Sequence, residues 1–275
     1  MLLVLGDLPF KTKSKQLLYF HNARILADSR SNFGGLIQRV NDSIKLFIAR
    51  KLFSKNLKYV DYVIVQTDLM RRRFLENNPL FKGKVIVILP AVTKFNFYTI
   101  DAKPYRAQKK KIKLFYPSYY YPHKNHIFLT KLGENLSQYI ETFTLTVDKI
   151  EVSGRYPSWT RFIGKITHEE VLKSILECDA LVYLSLEESL GLPLIEAQAI
   201  GVPIICVDMP YARAICASNT LFFAADSPSS FLAKVVEFVS APNSFDPIVQ
   251  GENFWRTRTW AHAVAELVKE VGKTV

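Results

Sequence analysis

Two short apolar runs, Ala180 to Leu184 and Pro203 to Val207, flank a stretch that reads as a helix from Pro193 to Ile200. Apolar runs of this length, bounded by turn residues, suit strands buried on both faces of a sheet. Two such strands joined through a helix form a parallel pair, because a parallel pair needs a long crossover where an antiparallel pair needs only a tight turn. The helix is punctuated at both ends. Pro193 is expected at its first position, where a fixed φ and a missing N–H cost nothing. Gly201 is expected at the left-handed position past its end.

The same alternation runs along most of the chain. Buried-type runs recur at Met1 to Leu5, Gln16 to Phe20, Tyr62 to Gln66 and Val85 to Leu89. They resume at Ile112 to Tyr116, Thr142 to Val147, Thr160 to Ile163 and Thr220 to Phe223. Helices are expected at Gly34 to Leu57, after a cap at Thr67 or Asp68, and at Asn125 to Ser137, His168 to Glu177 and Ser229 to Val239. In the first of these, Leu36, Ile37, Val40, Ile44, Phe47, Ile48 and Leu52 repeat at helical spacing with Lys and Arg between them, the pattern of an amphipathic helix. Asn253 to Lys269 reads as a closing helix, with Trp255, Trp260, Val264 and Leu267 on or near one side. Asp101 to Lys113 lacks apolar periodicity and carries a charge run, so the domain linker is placed there. The expected fold class is α/β, with two Rossmann-like units facing each other across a cleft. Their bounds are residues 1–105 and 106–245, with the closing helix over 246–275.

Charge divides the chain in the same place. Residues 1–113 hold 23 Lys and Arg against 7 Asp and Glu, and the remainder holds 13 against 18. A basic half joined to a mildly acidic half implies two units with different partners. For the basic half these are an anionic membrane surface, an anionic substrate, nucleic acid, or solvent alone. The basic helix over residues 45–58 fits either a membrane surface or a sheet with its charges turned outward. No apolar run approaches the roughly 18 residues of a membrane span. At the start, MLLVLGDLPFKTKSK, charges follow a very short apolar run, the reverse of a signal peptide. Cys178, Cys206 and Cys216 lie in apolar contexts without metal-ligand spacing, so reduced thiols in a cytoplasmic protein are expected.

The architecture locates a site. Ligands of open α/β sheets bind beyond the carboxyl ends of the strands, at a switch point. Ala180 to Leu184 delivers Ser185 to Gly191 to that edge, with Glu188 on the loop. Ile112 to Tyr116 delivers PSYYYPHKNH, where Lys124 is a mobile cation able to meet a phosphate. Glu196 is expected in the first turn of its helix, where the dipole favours a carboxylate and free N–H groups cradle anionic oxygens. His21 closes a strand of the first unit and is expected at the crevice between the units. Tyr119, Tyr120 and Tyr121 could stack on a base or sugar, although packing explains them as well.

Taken together, CDALVYLSLEESLGLPLIEAQAIGVPIICVDMPYARAI resembles the signature of retaining glycosyltransferases of the GT-B fold, glycosyltransferase family 4 or group 1. The likeness rests on Glu188, Gly191, Leu192, Pro193 and Glu196 in a Glu-x7-Glu frame, with Phe162-Ile163-Gly164 and Cys178-Asp179 before it. It runs, weakening, from about His21 to the C-terminus.

The resemblance implies a nucleotide-diphosphate sugar as co-substrate, held by Ser118, Lys124, Gly164, Glu188, Leu190, Gly191, Leu192 and Glu196. Glu196 would accept from ribose hydroxyls, and Glu188 with the N–H groups near Leu190 and Gly191 would hold the sugar. Lys124 would meet the diphosphate, and His21 would reach the reacting carbon. The catalytic set is then His21, Lys124 and Glu188, working without a cofactor or metal, and no Asp-x-Asp cluster is present to hold one. Ser118 and Tyr119 stand where the family usually has glycine and arginine. The implied reaction moves a hexose, mannose-like or glucose-like, to a glycan or lipid-linked glycan with retention of configuration. Family members open on a strand and a Gly-rich loop and carry a longer first domain, so the first unit is expected to be truncated. The alternatives are a catalytically impaired, donor-binding relic and, ranked below it, a basic nucleic-acid-binding protein. The latter lacks the Gly-rich and aromatic pattern of an RNA-recognition domain.

Overall fold

The structure is a computed structural model that describes residues 1–26, 36–91, 110–245 and 258–272, with the backbone alone at 36–43 and 242–243. The described residues form two compact units. Unit 1 takes 1–26, 36–91, 187–190 and 258–272, and unit 2 takes 110–186 and 191–245.

Unit 1 is built on four parallel strands in sequence order, β1 (Leu2–Leu5), β2 (Gln16–Tyr19), β3 (Tyr62–Val65) and β4 (Lys84–Val87). Leu18, Val63 and Val85 stand in register across β2, β3 and β4. Side chains of a strand alternate between faces. Leu18, Val63, Val65 and Val85 therefore meet the helices on one face, α1 (Ala23–Leu26), α2 (Leu36–Asn56) and α3 (Asp68–Asn77). Phe20, Phe53 and Phe74 form the centre of that core, with ring centroids 5.1 to 6.1 Å apart. A fully buried side chain of this size contributes roughly 2–3 kcal/mol.

Unit 2 has six parallel strands: β5 (Ile112–Tyr116), β6 (Ile140–Leu145), β7 (Thr160–Phe162), β8 (Ala180–Tyr183), β9 (Ile204–Val207) and β10 (Leu221–Phe223). Their order is β10-β9-β8-β5-β6-β7. Every residue of β8 and β9 is buried, as expected of strands covered on both faces. The helices are α4 (His168–Glu177), α5 (Leu192–Ile200), α6 (Pro210–Ile215) and α7 (Pro228–Ser240). From β5 the chain builds outward to β6 and β7, then crosses back to place β8 on the other edge of β5. The switch point of this sheet therefore lies between β5 and β8. The last helix, α8 (Trp260–Gly272), belongs to unit 1 and covers the second face of its sheet, where Ala263 packs with Leu17, Tyr62, Ile64 and Ile86. The buried Arg258 guanidinium anchors it, donating to the Leu89 carbonyl at 2.6 and 2.8 Å and pairing with Glu266 at 2.7 Å.

Four expectations need correction. The helix expected over Asn125 to Ser137 is two short 3-10 pieces, His126–Lys131 and Glu134–Gln138, because Asn125 adopts a left-handed conformation and Gly133 is extended. Helix α2 turns Phe53 inward, with Leu57 just past its end, and leaves Ile44, Phe47, Ile48 and Leu52 exposed, so of the two surfaces expected for its apolar stripe the sheet does not take it. Helix α8 buries Ala263 and packs Leu267 and Val271 against the core, whereas Trp260 and Val264 are exposed. Glu196 is the fifth residue of α5 and not in its first turn, since the helix begins at Leu192 and Pro193 stands second. Residues 101–109 of the expected linker, Trp255 and the boundary at 245/246 from 246 onward lie outside the described residues, as do the side chains of Leu36, Ile37 and Val40.

Candidate functional site

The switch point of unit 2 gathers two loops beyond the carboxyl ends of β5 and β8. Their backbones are joined: the Leu186 N–H donates to the His123 carbonyl at 2.8 Å, and Ser185 Oγ donates to the same oxygen at 3.4 Å. Tyr211 Oη closes the arrangement by donating to the Ser185 carbonyl. Lys124 ends a single 3-10 turn, Pro122–Lys124, and its carbonyl accepts from Tyr116 Oη at 2.9 Å. Its Nζ lies 5.8 Å from the centre of the Tyr183 ring. Gly191 also approaches this ring, since a Cβ on it would stand 3.6 Å from Tyr183 Cε1. Tyr183, the last residue of β8, thus sits beside both the cation and the turn into α5.

That turn needs glycine. Gly191 has φ +80°, a left-handed conformation in which a side chain is strained, and an added Cβ would also meet Leu194 Cδ1 at 3.2 Å. The first N–H groups of a helix have no acceptor inside it. Here Pro193 has no N–H and that of Leu194 turns back to the Gly191 carbonyl at 2.9 Å. The turn at Gly191 and Leu192 is left as the donor end of the helix, a favourable place for an anion. At the far end, the Gly201 N–H donates to the carbonyls of Ala197 and Gln198 and stops the helix where expected.

Glu196 is 4% exposed, and burial pushes its carboxyl above the usual carboxylate range. His168 opposes that shift, with Nε2 2.7 Å from Glu196 Oε1. The imidazole is placed by a capping box: Thr167 caps α4 by accepting from the Glu170 N–H, and the Glu170 carboxylate accepts from the Thr167 N–H. His168 is thereby fixed as the first residue of the helix. A buried carboxylate with one histidine partner still has oxygen lone pairs able to accept from hydroxyls.

Ser118 is fully engaged within the unit. Its N–H donates to Thr146 Oγ1 at 2.8 Å, and its Oγ lies 2.9 Å from His126 Nε2. His126 is buried, and burial with the nearby Lys124 cation lowers its pKa to about 4, so it is a neutral ring. Gly164 follows β7 with φ +69°, and a Cβ there would fall 2.6 Å from Asp148 Oδ1, which caps the turn Lys149–Glu151. Leu192 is exposed at the mouth of α5.

Three sequence candidates stand in unit 1. His21 follows β2; its N–H donates to Asp7 Oδ1 at 3.3 Å, and its ring Nδ1 lies 3.4 Å from the same oxygen. Half-buried Glu188 and buried Leu190 belong to the Glu187–Leu190 segment of that unit. Within unit 2, then, Lys124, Gly191, Leu192 and Glu196 share the edge beyond β5 and β8, with Ser118 supporting the Lys124 loop. His168, Tyr183 and Thr146 were missed from sequence. The Thr167-x-x-Glu170 cap was the one available signal for His168, since it marks a helix start. A cavity of about 400 Å³ between α4 and the β5–β7 face, lined by Lys113, Thr144, Arg161 and Glu177 among others, contains none of these residues. Among the described residues, no group of three or more His, Cys, Asp or Glu is placed to hold a metal ion.

Residues 157–248 match the family described as Glycosyl transferases group 1. The chain is 22% identical over 205 residues to the O-antigen chain mannosyltransferase RfbU of Salmonella typhimurium, an alignment covering 71% of this chain and 56% of that protein. The chain thus spans little more than half the length of this curated relative. Among solved structures it resembles sucrose-phosphate synthase from Thermosynechococcus elongatus, with a TM-score of 0.68 at 15% identity, covering 95% of this chain and 69% of that one. It also resembles Anabaena HepE in complex with UDP-glucose, with a TM-score of 0.65 at 13% identity, covering 95% and 72%. A third is the pneumococcal O-GlcNAc transferase GtfA in complex with UDP and GlcNAc, with a TM-score of 0.63 at 14% identity, covering 94% and 52%. The family likeness read from Glu188 to Glu196 holds, and the fold is that of the GT-B glycosyltransferases, with two parallel α/β units.

Proposed function

We propose that unit 2 binds a nucleotide-diphosphate sugar and that the chain transfers its hexose, with retention of configuration, to a glycan or lipid-linked glycan. The observation that carries this reading is the buried Glu196, held by His168 one turn behind the donor end of α5 at the switch point between β5 and β8. A buried carboxylate that still accepts hydrogen bonds suits the paired hydroxyls of a ribose, because each such charge-assisted bond is worth about 1.5–3 kcal/mol. The turn at Gly191 and the Lys124 ammonium are the groups for the diphosphate. Both complement charge that develops on the leaving group as the sugar departs.

In the proposed reaction the bond between the anomeric carbon and the phosphate oxygen breaks, and the acceptor oxygen attaches on the face that the phosphate leaves. The acceptor proton passes to the departing phosphate, so no separate base is required. His21 and Glu188 keep the roles that the resemblance gives them, at the reacting carbon and the sugar hydroxyls. For these two residues the support is sequence likeness alone. No metal or cofactor enters the proposal.

Release of UDP from UDP-glucose, or of GDP from GDP-mannose, tests this reading without a known acceptor. Slow donor hydrolysis by the wild-type chain is expected, reduced at least roughly tenfold in Lys124→Ala and in Glu196→Ala. Donor binding with no release from either nucleotide sugar would support the donor-binding relic and refute transfer.

A further inference from the structure

Helix α2 carries two apolar stripes on opposite sides, and the core uses one. Phe53 is buried, as is Leu57 just past the helix end, and Leu46 is partly so; Arg50, on the same side, donates to the carbonyls of Arg24 and Ile25 at 3.0 Å. At 3.6 residues per turn, Ile44, Phe47, Ile48 and Leu52 fall on the other side. They are 52%, 58%, 51% and 43% exposed. Four neighbouring large apolar side chains left in water are unusual, because the exposed apolar patches of soluble proteins generally mark an interaction surface.

The charges around the stripe say what it meets. Lys45, Lys51, Lys55 and Lys58 are exposed on the same stretch, and no Asp or Glu occurs between Ser43 and Val60. Lys51 Nζ lies 4.7 Å from the centre of the Phe47 ring, so cation and apolar group are interleaved. Asn56 Nδ2 donates to the Pro9 carbonyl at 2.9 Å, which brings a second loop to the end of the helix. That loop carries exposed Leu8 and Phe10 and continues into exposed Lys11, Lys13 and Lys15.

We infer that this face of unit 1 lies on an anionic phospholipid surface, with Phe47, Ile48 and Leu52 entering the boundary between headgroups and acyl chains and the lysines meeting phosphates. Lysine stems extend along apolar surface while their ammonium groups reach outward, which is the arrangement interfacial helices use. A second copy of the chain is a poor occupant, because a two-fold interface would set these cations against their own copies without a carboxylate between them. Nucleic acid would use the lysines and leave the isoleucines and leucine unburied. Among the described residues no helix is long and apolar enough to cross a membrane. This inference is independent of the donor site, which lies in unit 2.

The test is sedimentation of the full chain with vesicles of phosphatidylcholine alone and of phosphatidylcholine mixed with phosphatidylglycerol. Binding to the mixed vesicles only, weakened by added salt, is expected. Each lysine near an anionic surface is worth roughly fivefold in affinity. Lys51→Glu with Lys55→Glu should therefore weaken binding by at least roughly 25-fold. Phe47→Ser with Ile48→Ser should weaken it at least roughly tenfold, with an unchanged melting temperature because both side chains face solvent. Phe47→Trp should show blue-shifted emission with mixed vesicles. Equal binding to both vesicle types, indifference to the Phe47→Ser and Ile48→Ser pair, or unshifted Phe47→Trp emission would each overturn the inference. So would a dimer abolished by that pair, or nucleic-acid binding through these lysines without vesicle binding.

Discussion

Glu196 is held where a carboxylate is least comfortable. Its raised pKa means that the folded protein binds the proton more tightly than the unfolded chain does. The cost to stability is absent below the ordinary carboxylate value, grows as pH rises through the raised one, and is fully present above it. Glu196→Gln keeps the size and a hydrogen bond to His168 while removing the charge. The expected outcome is a higher melting temperature at pH 8, with the difference from wild type shrinking as pH falls toward 4, alongside weaker nucleotide-sugar binding. A variant less stable than wild type at pH 8 would show that the His168 contact outweighs burial. The sequence made Glu196 visible through its spacing from Glu188, but not its environment. His168 lies 28 residues earlier, and only the packing of α4 on α5 brings the two side chains together.

At the scale of elements, α5 was the most legible part of the chain because its signals are local. Pro193 fixes its own φ, and Gly191 and Gly201 admit the left-handed turns that bound the helix, whatever the helix packs against. Gly191→Ala tests that reasoning: a Cβ on a left-handed residue costs roughly 1–2 kcal/mol, and the 3.2 Å approach to Leu194 adds to it. A drop in unfolding free energy of about that size is expected in urea denaturation, together with weakened donor binding from the displaced N–H groups. Unchanged stability would mean that the turn relaxes freely. Elements whose signal is periodic rather than local read less well. In α2 two apolar stripes compete, and spacing alone does not say which one the sheet takes; the Phe20, Phe53 and Phe74 cluster decides it. In α8 the large Trp260 drew attention, yet the side that fits the sheet holds the small Ala263. The segment from Asn125 to Ser137 has helical composition but lacks a helical start, because Asn125 is left-handed.

Across the whole molecule, strand and helix alternation sufficed for two parallel sheets, and the run from Ile112 to Phe223 placed all six strands of the second. Strand order was not legible, since it depends on which edge of β5 receives β8, yet that order sets the switch point and so the site. The uneven charge also follows the architecture: the basic half of the chain supplies most of unit 1, where the lysines of α2 are exposed, and Lys124 and Glu196, the residues proposed to meet the donor, belong to unit 2. In the proposed function, unit 2 recognises a nucleotide-diphosphate sugar through Glu196 and Lys124. Titration calorimetry of UDP-glucose and GDP-mannose into the full chain tests it most directly. Saturable binding of at least one is expected, weakened roughly 10- to 100-fold in Glu196→Ala and in Lys124→Ala while both variants keep their fold. Binding of neither nucleotide sugar, or binding indifferent to both substitutions, would contradict it.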